Sequence, residues 1–187
     1  MFVRTERLLL RPAWSEDSMP LFRAIGEEQV VRNLATAPWP YLLTDAETWT
    51  ATPRPAHRPA ALIFMRDASE LELIGSIGLH DTPEGEIELG YWIARERWGA
   101  GLATEAGLAM LRFARDTLRL RRLVAGHFLD NPASGQVLRK LGFQPTGAVR
   151  MRHSLARGGE ASTAEFVVEL NREADTDMTT ACRMLAA

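Results

Sequence analysis

The sequence contains very little cysteine and lysine. Its 187 residues include one cysteine, Cys182, and a single lysine, Lys140, among 22 basic residues. One cysteine excludes an intrachain disulfide and a zinc site assembled from several thiolates. The four histidines are scattered without ligand spacing, so the sequence predicts no catalytic metal.

Long apolar runs and a strong net charge are absent as well. No apolar stretch approaches the ~18 residues that a membrane span requires, and charges interrupt the apolar residues of the N-terminus, unlike in a signal peptide. The formal net charge is −2, so no overall field attracts nucleic acid or acidic lipid. We therefore expect a cytoplasmic protein without a nucleic-acid or membrane partner.

What is present is the composition of an ordinary globular protein, with 46% hydrophobic and 25% charged residues. The length suits one domain, predicted over residues 1–170 and followed by a weakly patterned tail over residues 171–187. Periodicity and turn residues predict strands at 8–10, 61–65, 73–79, 86–94, 122–129, 146–155 and 162–170, and helices at 16–26, 44–52, 101–118 and 133–141. This order predicts an α/β (α+β) fold, with a mixed, mostly antiparallel central sheet of about seven strands flanked by helices.

The most informative segment is Gly90–Ala106, in which a strand leads through a Gly-x-Gly turn at Gly99 and Gly101 into a helix. Glycines let the backbone turn tightly and expose its amides. The first turn of the helix adds unpaired N–H groups and the positive end of the helix dipole, so the segment suits a diphosphate. A turn without a ligand is equally consistent with the glycines alone. A dinucleotide-binding fingerprint would need glycine in place of Thr104, and a P-loop would need a lysine, so neither fits.

A second segment, Asp130-Asn131-Pro132-Ala133-Ser134, leads into Leu141-Gly142-Phe143. Together with Trp98-Gly99-Ala100-Gly101-Leu102-Ala103-Thr104-Glu105-Ala106, it resembles the GNAT superfamily of acetyl-CoA-dependent N-acetyltransferases. Within that superfamily it looks like the ribosomal-protein-alanine N-acetyltransferase branch. The resemblance extends to the opening Thr5–Arg11 and to Glu88-Leu89-Gly90-Tyr91-Trp92, and it covers nearly the whole chain up to Leu170.

The resemblance implies a GNAT-like acyltransferase that uses acetyl-CoA as co-substrate. The strand at residues 91–93 would splay from the strand at 124–128, and the pantetheine arm would lie in that gap. Amides of the glycine turn would hold the pyrophosphate, Asn131 would bind the pantetheine, and Ser134 would lie close to the thioester sulfur. The implied cofactor-binding residues are Tyr91, Trp92, Ile93, Trp98, Gly99, Ala100, Gly101, Leu102, Ala103, Thr104, Asn131 and Ser134.

Two positions depart from the pattern of the superfamily. Trp98 stands where many members have arginine or glutamine. Some relatives have a tyrosine that protonates the CoA thiolate where this chain has Leu138, which cannot donate a proton. The remaining donors are the Ser134 hydroxyl and water. A helix-start hydrogen bond is the structural alternative for Ser134.

Acetyl transfer needs a neutral amine, and two residues are candidate bases. A lysine-like amine is only ~0.1% neutral near pH ~7.4, whereas an α-amine is ~20% neutral, so a lysine acceptor depends far more on a base. Glu88 shares a strand face with Gly90 and Trp92. That face runs towards the part of the strand that would splay. His80 ends the preceding strand and has the better intrinsic pKa. A solvent-facing carboxylate and a surface turn are their structural alternatives.

We predict transfer of the acetyl group of acetyl-CoA to a primary amine by direct attack in a ternary complex. The sequence does not distinguish a protein N-terminal α-amine from a small-molecule amine. The alternative is a catalytically weak CoA-binding sensor or assembly module, which Leu138 favours. A covalent intermediate on Cys182 is not expected, because that residue lies in the tail. Relatives often dimerise, so a homodimer stays open.

Overall fold

The computed structural model describes residues 1–66 and 71–170. In these residues it has strands β1 Val3–Arg4, β2 Leu8–Arg11, β3 Ala60–Met65, β4 Glu72–Asp81, β5 Ile87–Ile93, β6 Arg122–Phe128, β7 Gln144–Ser154 and β8 Gly159–Glu169. The α-helices are α1 Ser18–Ile25, α2 Glu28–Val31, α3 Leu43–Ala51, α4 Leu102–Asp116 and α5 Pro132–Lys140. The predicted tail over residues 171–187, with Cys182, lies outside the described residues.

All eight described strands form one sheet, in the order β1-β2-β3-β4-β5-β6-β8-β7. Neighbouring strands are antiparallel except β5 and β6, which run parallel. The predicted mixed, mostly antiparallel sheet flanked by helices is therefore confirmed. It has one strand more than expected, because β1 is only two residues long and such a short strand has no periodicity to detect.

The sheet separates two apolar cores, because alternate residues of a strand point to opposite faces. In β3, Ile63 packs in the core beneath α4 and α5, whereas Phe64 packs in the core beneath α1, α2 and α3. The strands in the middle of the sheet are thus covered on both sides. A molecule that reaches the sheet must enter between elements, and the gap described below provides such an entrance.

Helix starts differ from the sequence prediction by one or two residues. Residues 15–17 form a 3₁₀ turn before α1, because the Asp17 carboxylate accepts a hydrogen bond from the Trp14 amide at 2.8 Å. Arg11 holds that carboxylate through a buried ion pair at 2.7 Å. Helix α2 was missed because it is a single turn in a polar segment. No helix in residues 1–66 and 71–170 is long and apolar enough to cross a membrane.

Candidate active site

A gap opens between β5 and β6 in the middle of the sheet. The two strands are paired at one position, Glu88 with Val124, and diverge from there. Each remains fully paired with its other neighbour, β5 with β4 and β6 with β8. The gap forms part of a groove of about 1110 Å³ that also reaches the Gly99–Thr104 turn, the start of α5 and the α1–α3 side of the sheet.

The main-chain groups of β5 that face the gap can be identified from its pairing with β4. The Ala94 amide donates to Ile74 O at 2.7 Å, and a Cβ placed on Gly75 of β4 would lie 2.3 Å from Trp92 O. Trp92 and Ala94 therefore turn their main-chain groups towards β4. Because consecutive residues of a strand alternate in this respect, the Ile93 amide points towards β6 and the gap.

The glycine turn presents free amides to the groove. Gly99 and Gly101 both have φ of 76°, a left-handed conformation that strains residues with a Cβ. Gly101 is the N-cap of α4. Within residues 1–66 and 71–170, the amides of Ala103 and Thr104 have no hydrogen-bond acceptor. The turn therefore offers unsatisfied donors and the positive end of a 15-residue helix.

The N-terminal segment holds this turn in place, which the sequence reasoning missed. Glu105, in the first turn of α4, accepts hydrogen bonds from Thr5 Oγ1 at 2.6 Å and from Arg7 N and Nε at 2.9 and 2.7 Å. Arg7 Nη1 also donates to Ala100 O at 3.0 Å. Burial raises the pKa of Glu105, but the hydrogen bonds from Thr5 and Arg7 outweigh it and hold that pKa below its ordinary value. Both partners lie in segments that carry the family resemblance, and that was the available signal.

Trp98 connects the loop before the glycine turn to the end of β5. Its indole Nε1 donates to Ile93 O at 2.7 Å, while 47% of the residue stays exposed. This contact occupies the Ile93 carbonyl and leaves the Ile93 amide available. Tryptophan at this position thus has a structural reason.

The start of α5 brings Asn131 and Ser134 to the groove. Asn131 Oδ1 accepts from Ser134 N at 3.3 Å, so Asn131 caps the helix. The alternative for Ser134, a helix-start hydrogen bond, is met by its amide, whereas Ser134 Oγ lies 2.8 Å from Tyr91 Oη. Burial raises the pKa of Tyr91 to about 12. Leu138 is fully buried in the core and does not reach the groove.

Glu88 and His80 form a cross-strand pair that a third residue completes. Glu88 is 5% exposed, so the reading of it as a solvent-facing carboxylate is wrong. Its Oε2 lies 3.2 Å from His80 Nε2, and its Oε1 lies 2.6 Å from Arg152 Nη1. Burial alone would raise the pKa of Glu88. The hydrogen bonds from His80 and Arg152 lower that pKa by more than burial raises it, so it lies below its ordinary value. Glu88 is therefore held as a carboxylate.

Two glycines make room for this cluster. A Cβ on Gly90 would lie 3.4 Å from His80 Cε1 and 3.7 Å from its Nδ1, and a Cβ on Gly126 would lie 3.7 Å from Glu88 Oε1. The imidazole of His80 thus lies over Gly90, at the edge of the gap. Its side chain is 56% exposed, so the ring is accessible from the groove.

The structure brings the predicted site residues together. All of them line the one groove except Ala100, whose carbonyl binds Arg7 instead. The groove continues past Trp92 to an apolar wall formed by α1, α2 and the segment before α3. Tyr41 belongs to that wall: it is 8% exposed, and burial raises its pKa to about 12. No group of three or more potential metal ligands occurs in residues 1–66 and 71–170.

Comparison with known proteins agrees with this geometry. Residues 7–144 match the family model of the acetyltransferase (GNAT) domain. The chain belongs to the GNAT acetyltransferase family. It is 30% identical over 153 residues to the uncharacterized N-acetyltransferase YoaA of Bacillus subtilis (strain 168), covering 79% of this chain and 85% of that protein.

Ribosomal-protein acetyltransferases are also among the similar proteins. The ribosomal protein uS5-alanine N-acetyltransferase of Escherichia coli (strain K12) is 33% identical over 84 residues, which is 43% of either chain. RimL, a ribosomal-protein α-N-acetyltransferase solved in complex with coenzyme A, superposes with a TM-score of 0.73 at 19% identity. That superposition covers 90% of this chain and 98% of RimL, and at this identity it speaks for the fold.

Proposed function

We propose that the protein transfers the acetyl group of acetyl-CoA to a primary amine by direct attack in a ternary complex. One observation carries the proposal: a single groove joins the glycine turn, the gap between β5 and β6, and the His80–Glu88 pair. A donor bound at the turn and an amine entering from the α1–α3 side would meet in that gap. Membership of the GNAT family and the coenzyme A bound to RimL support this donor.

The donor fits the groove from its diphosphate to its sulfur. Free amides and the positive end of the α4 dipole favour a diphosphate at Gly99–Thr104. The pantetheine arm is an extended chain with two amides, and it would bind along the unpaired edge of β5 as an added strand does. Asn131 Nδ2 has no partner within the described residues and would donate to that arm. Ser134, in the first turn of α5, would lie near the sulfur.

The oxyanion of the tetrahedral intermediate needs a hydrogen-bond donor that is already in position. The Ile93 amide is the strongest candidate, because it points into the gap and the Trp98 contact leaves it unused. The Trp92 amide is less suitable, because it belongs to the ladder with β4. We therefore assign the oxyanion contact to Ile93.

His80 is the better base, and Glu88 orients it. A carboxylate whose pKa is lowered accepts a proton weakly, which argues against Glu88. With Nε2–H donated to Glu88, neutral His80 keeps the lone pair of Nδ1, which lies above Gly90 at the gap. This is the arrangement in which a carboxylate fixes the tautomer of a catalytic histidine.

The reaction then balances as follows. The amine nitrogen attacks the thioester carbon, and His80 Nδ1 takes the proton that the nitrogen loses. The attack forms the C–N bond of the tetrahedral intermediate. When the intermediate collapses, the C–S bond breaks and its electron pair leaves on the sulfur. His80 returns its proton to solvent, and the CoA thiolate takes a proton from water after release. The products are an N-acetylated amine and coenzyme A.

The acceptor meets an apolar wall, so we infer an amine attached to a group with apolar surface. An α-amine needs less help from a base than a lysine amine does, and His80 is accessible rather than enclosed. The name of the relative that modifies the alanine of a ribosomal protein supports a protein N-terminus. A small-molecule amine of the same apolar character fits the wall equally well.

Two measurements test the proposal. Calorimetry with coenzyme A should detect binding, and thiol release from acetyl-CoA should be followed over a panel of N-terminal peptides, lysine, polyamines and aromatic amines. We expect release to be fastest with an amine next to an apolar group. Absence of coenzyme A binding would overturn the proposal. Binding without thiol release on any amine would favour the sensor or assembly module.

A further inference from the structure

Helix α5 offers no proton donor from the position of Leu138, which is fully buried. A hydroxyl reaches the same helix from β5 instead. Tyr91 Oη lies 2.8 Å from Ser134 Oγ and 3.2 Å from Ser134 O. Both side chains line the groove on the side of the gap where α5 begins. Two linked hydroxyls therefore lie at the start of α5, whereas Leu138 offers none.

Either hydroxyl can donate in the hydrogen bond between Tyr91 Oη and Ser134 Oγ. Which one donates depends on the group that lies in the gap next to the serine hydroxyl. If Tyr91 donates its proton to the Ser134 carbonyl, the Ser134 hydroxyl donates to Tyr91 Oη, and its proton is not available to a group in the gap. If Tyr91 donates to Ser134 Oγ, the serine proton is free to point into the gap. A negative charge in the gap favours the second arrangement, because hydrogen bonds to ionised acceptors are the stronger ones.

The acidity of Tyr91 limits what this pair can do. Burial raises its pKa to about 12, whereas a thiol has a pKa of ~8.5. Moving the tyrosine proton to a thiolate is therefore unfavourable by roughly a thousandfold or more. Tyr91 suits the role of a hydrogen-bond donor, and it does not suit the role of a general acid.

We propose that Tyr91 is a positioning residue that directs the Ser134 hydroxyl to donate a hydrogen bond to the sulfur of the leaving thiolate. The inference rests on the proposed function, because the sulfur is that of the acetyl donor. As the C–S bond breaks, its electron pair goes to the sulfur, and no proton is transferred from either hydroxyl. The start of α5 adds the positive end of its dipole to the same stabilisation.

The thiol of bound coenzyme A provides a test that needs no acceptor. Its ionisation is followed by the ultraviolet absorbance of the thiolate over a pH series, with the full chain saturated by coenzyme A. We expect its pKa to lie about one to two units below that of free coenzyme A, as a hydrogen bond to the anion requires. Tyr91→Phe and Ser134→Ala should each remove most of this shift, and the double variant should remove no more, because the two hydroxyls act as one unit.

Controls separate this role from a structural one. Ser162→Ala removes an exposed hydroxyl that contacts Met151 and should leave the shift unchanged, while Ser134→Thr keeps a hydroxyl and should retain it. Thermal unfolding and calorimetry verify that each variant folds and binds coenzyme A. A thiol that titrates in the wild-type complex as it does free in solution overturns the inference, as does an unchanged shift in Tyr91→Phe. Failure of the wild type to bind coenzyme A overturns the proposed function itself.

Discussion

Glu105 and Arg7 are joined by two hydrogen bonds across 98 residues of sequence, at 2.9 and 2.7 Å. Glu105 belongs to the first turn of α4, and Arg7 precedes β2. Through Arg7 Nη1, the same contact extends to the carbonyl of Ala100 inside the glycine turn. The N-terminal segment therefore sets the geometry of the turn whose amides face the groove.

Removal of the Glu105 carboxylate should weaken both the fold and donor binding. We expect Glu105→Gln to lower the free energy of unfolding at neutral pH by about 1–2 kcal/mol, because charged hydrogen bonds from Thr5 and Arg7 are lost. The folded-state pKa of Glu105 is lowered, so its stabilisation is present above about 4.5 and is lost as the pH falls below that value. Urea titrations at neutral and acid pH should thus show a difference that shrinks towards acid.

The exposed pair of Glu84 and Arg150 supplies the control for that experiment. Glu84→Gln should leave the unfolding curve unchanged, because exposed ion pairs contribute little. Coenzyme A should bind Glu105→Gln several-fold more weakly than it binds Glu84→Gln. Equal affinities would show that the turn keeps its shape without the Arg7 contact.

Gly101 can be tested against a glycine of the same conformation elsewhere. Gly101 and Gly147 have φ of 76° and 83°, and a Cβ on either meets nothing closer than 3.8 Å. Gly101→Ala and Gly147→Ala should therefore both lose about 1–2 kcal/mol of stability through backbone strain alone. Only Gly101→Ala should weaken coenzyme A binding, because Gly147 lies in β7 away from the groove. A similar loss of affinity in both variants would contradict a role of the turn in binding.

The architecture could be predicted largely because its signals are local. The strands that became β3, β4 and β5 are short, mostly apolar runs separated by short turns, so antiparallel pairing was the expected result. The splayed gap came from the family resemblance rather than from periodicity. The start of α1 was predicted two residues early, because the Asp17 carboxylate binds the Trp14 amide and Arg11 and residues 15–17 form a 3₁₀ turn.

The hydrogen bonds among the site residues could not be predicted from the sequence, because they join residues on different strands. Glu88 and His80 were each identified as candidate bases, but nothing local shows that they share one hydrogen bond. Arg152 lies 64 residues from Glu88, and nothing in its local sequence links it to that carboxylate. Long-range partners of this kind depend on strand register, and sequence periodicity fixes which face a residue occupies but not its neighbour across the sheet.

His80 should determine how the rate depends on pH. We expect His80→Gln to lower kcat/KM for an α-amine peptide by about a hundredfold near neutral pH, the ordinary contribution of a general base. The loss should persist up to the pKa of the amine, because the nitrogen of a neutral amine still loses a proton to the base after it attacks. His57→Gln alters an exposed histidine between α3 and β3 and should leave the profile as it is. Identical pH profiles for His80→Gln and wild type would exclude His80 as the base.

Arg152 should stabilise the fold through the ionised form of Glu88. Removing the guanidinium in Arg152→Gln leaves a buried carboxylate with His80 alone, so the pKa of Glu88 should rise and the free energy of unfolding should fall by about 1–3 kcal/mol at neutral pH. Because the folded-state pKa of Glu88 is lowered in the wild type, the stabilisation is complete above about pH 4.5 and disappears as the pH falls through the folded-state pKa.

The double variant Arg152→Gln/Glu88→Gln should regain part of the loss, since no buried charge remains unpaired. The neighbouring Arg150→Gln breaks contacts of a largely exposed arginine, to the exposed Glu84 and the partly buried Glu165, and should change little. If Arg150→Gln and Arg152→Gln were equally destabilised, the stabilising role of the buried pair would be refuted.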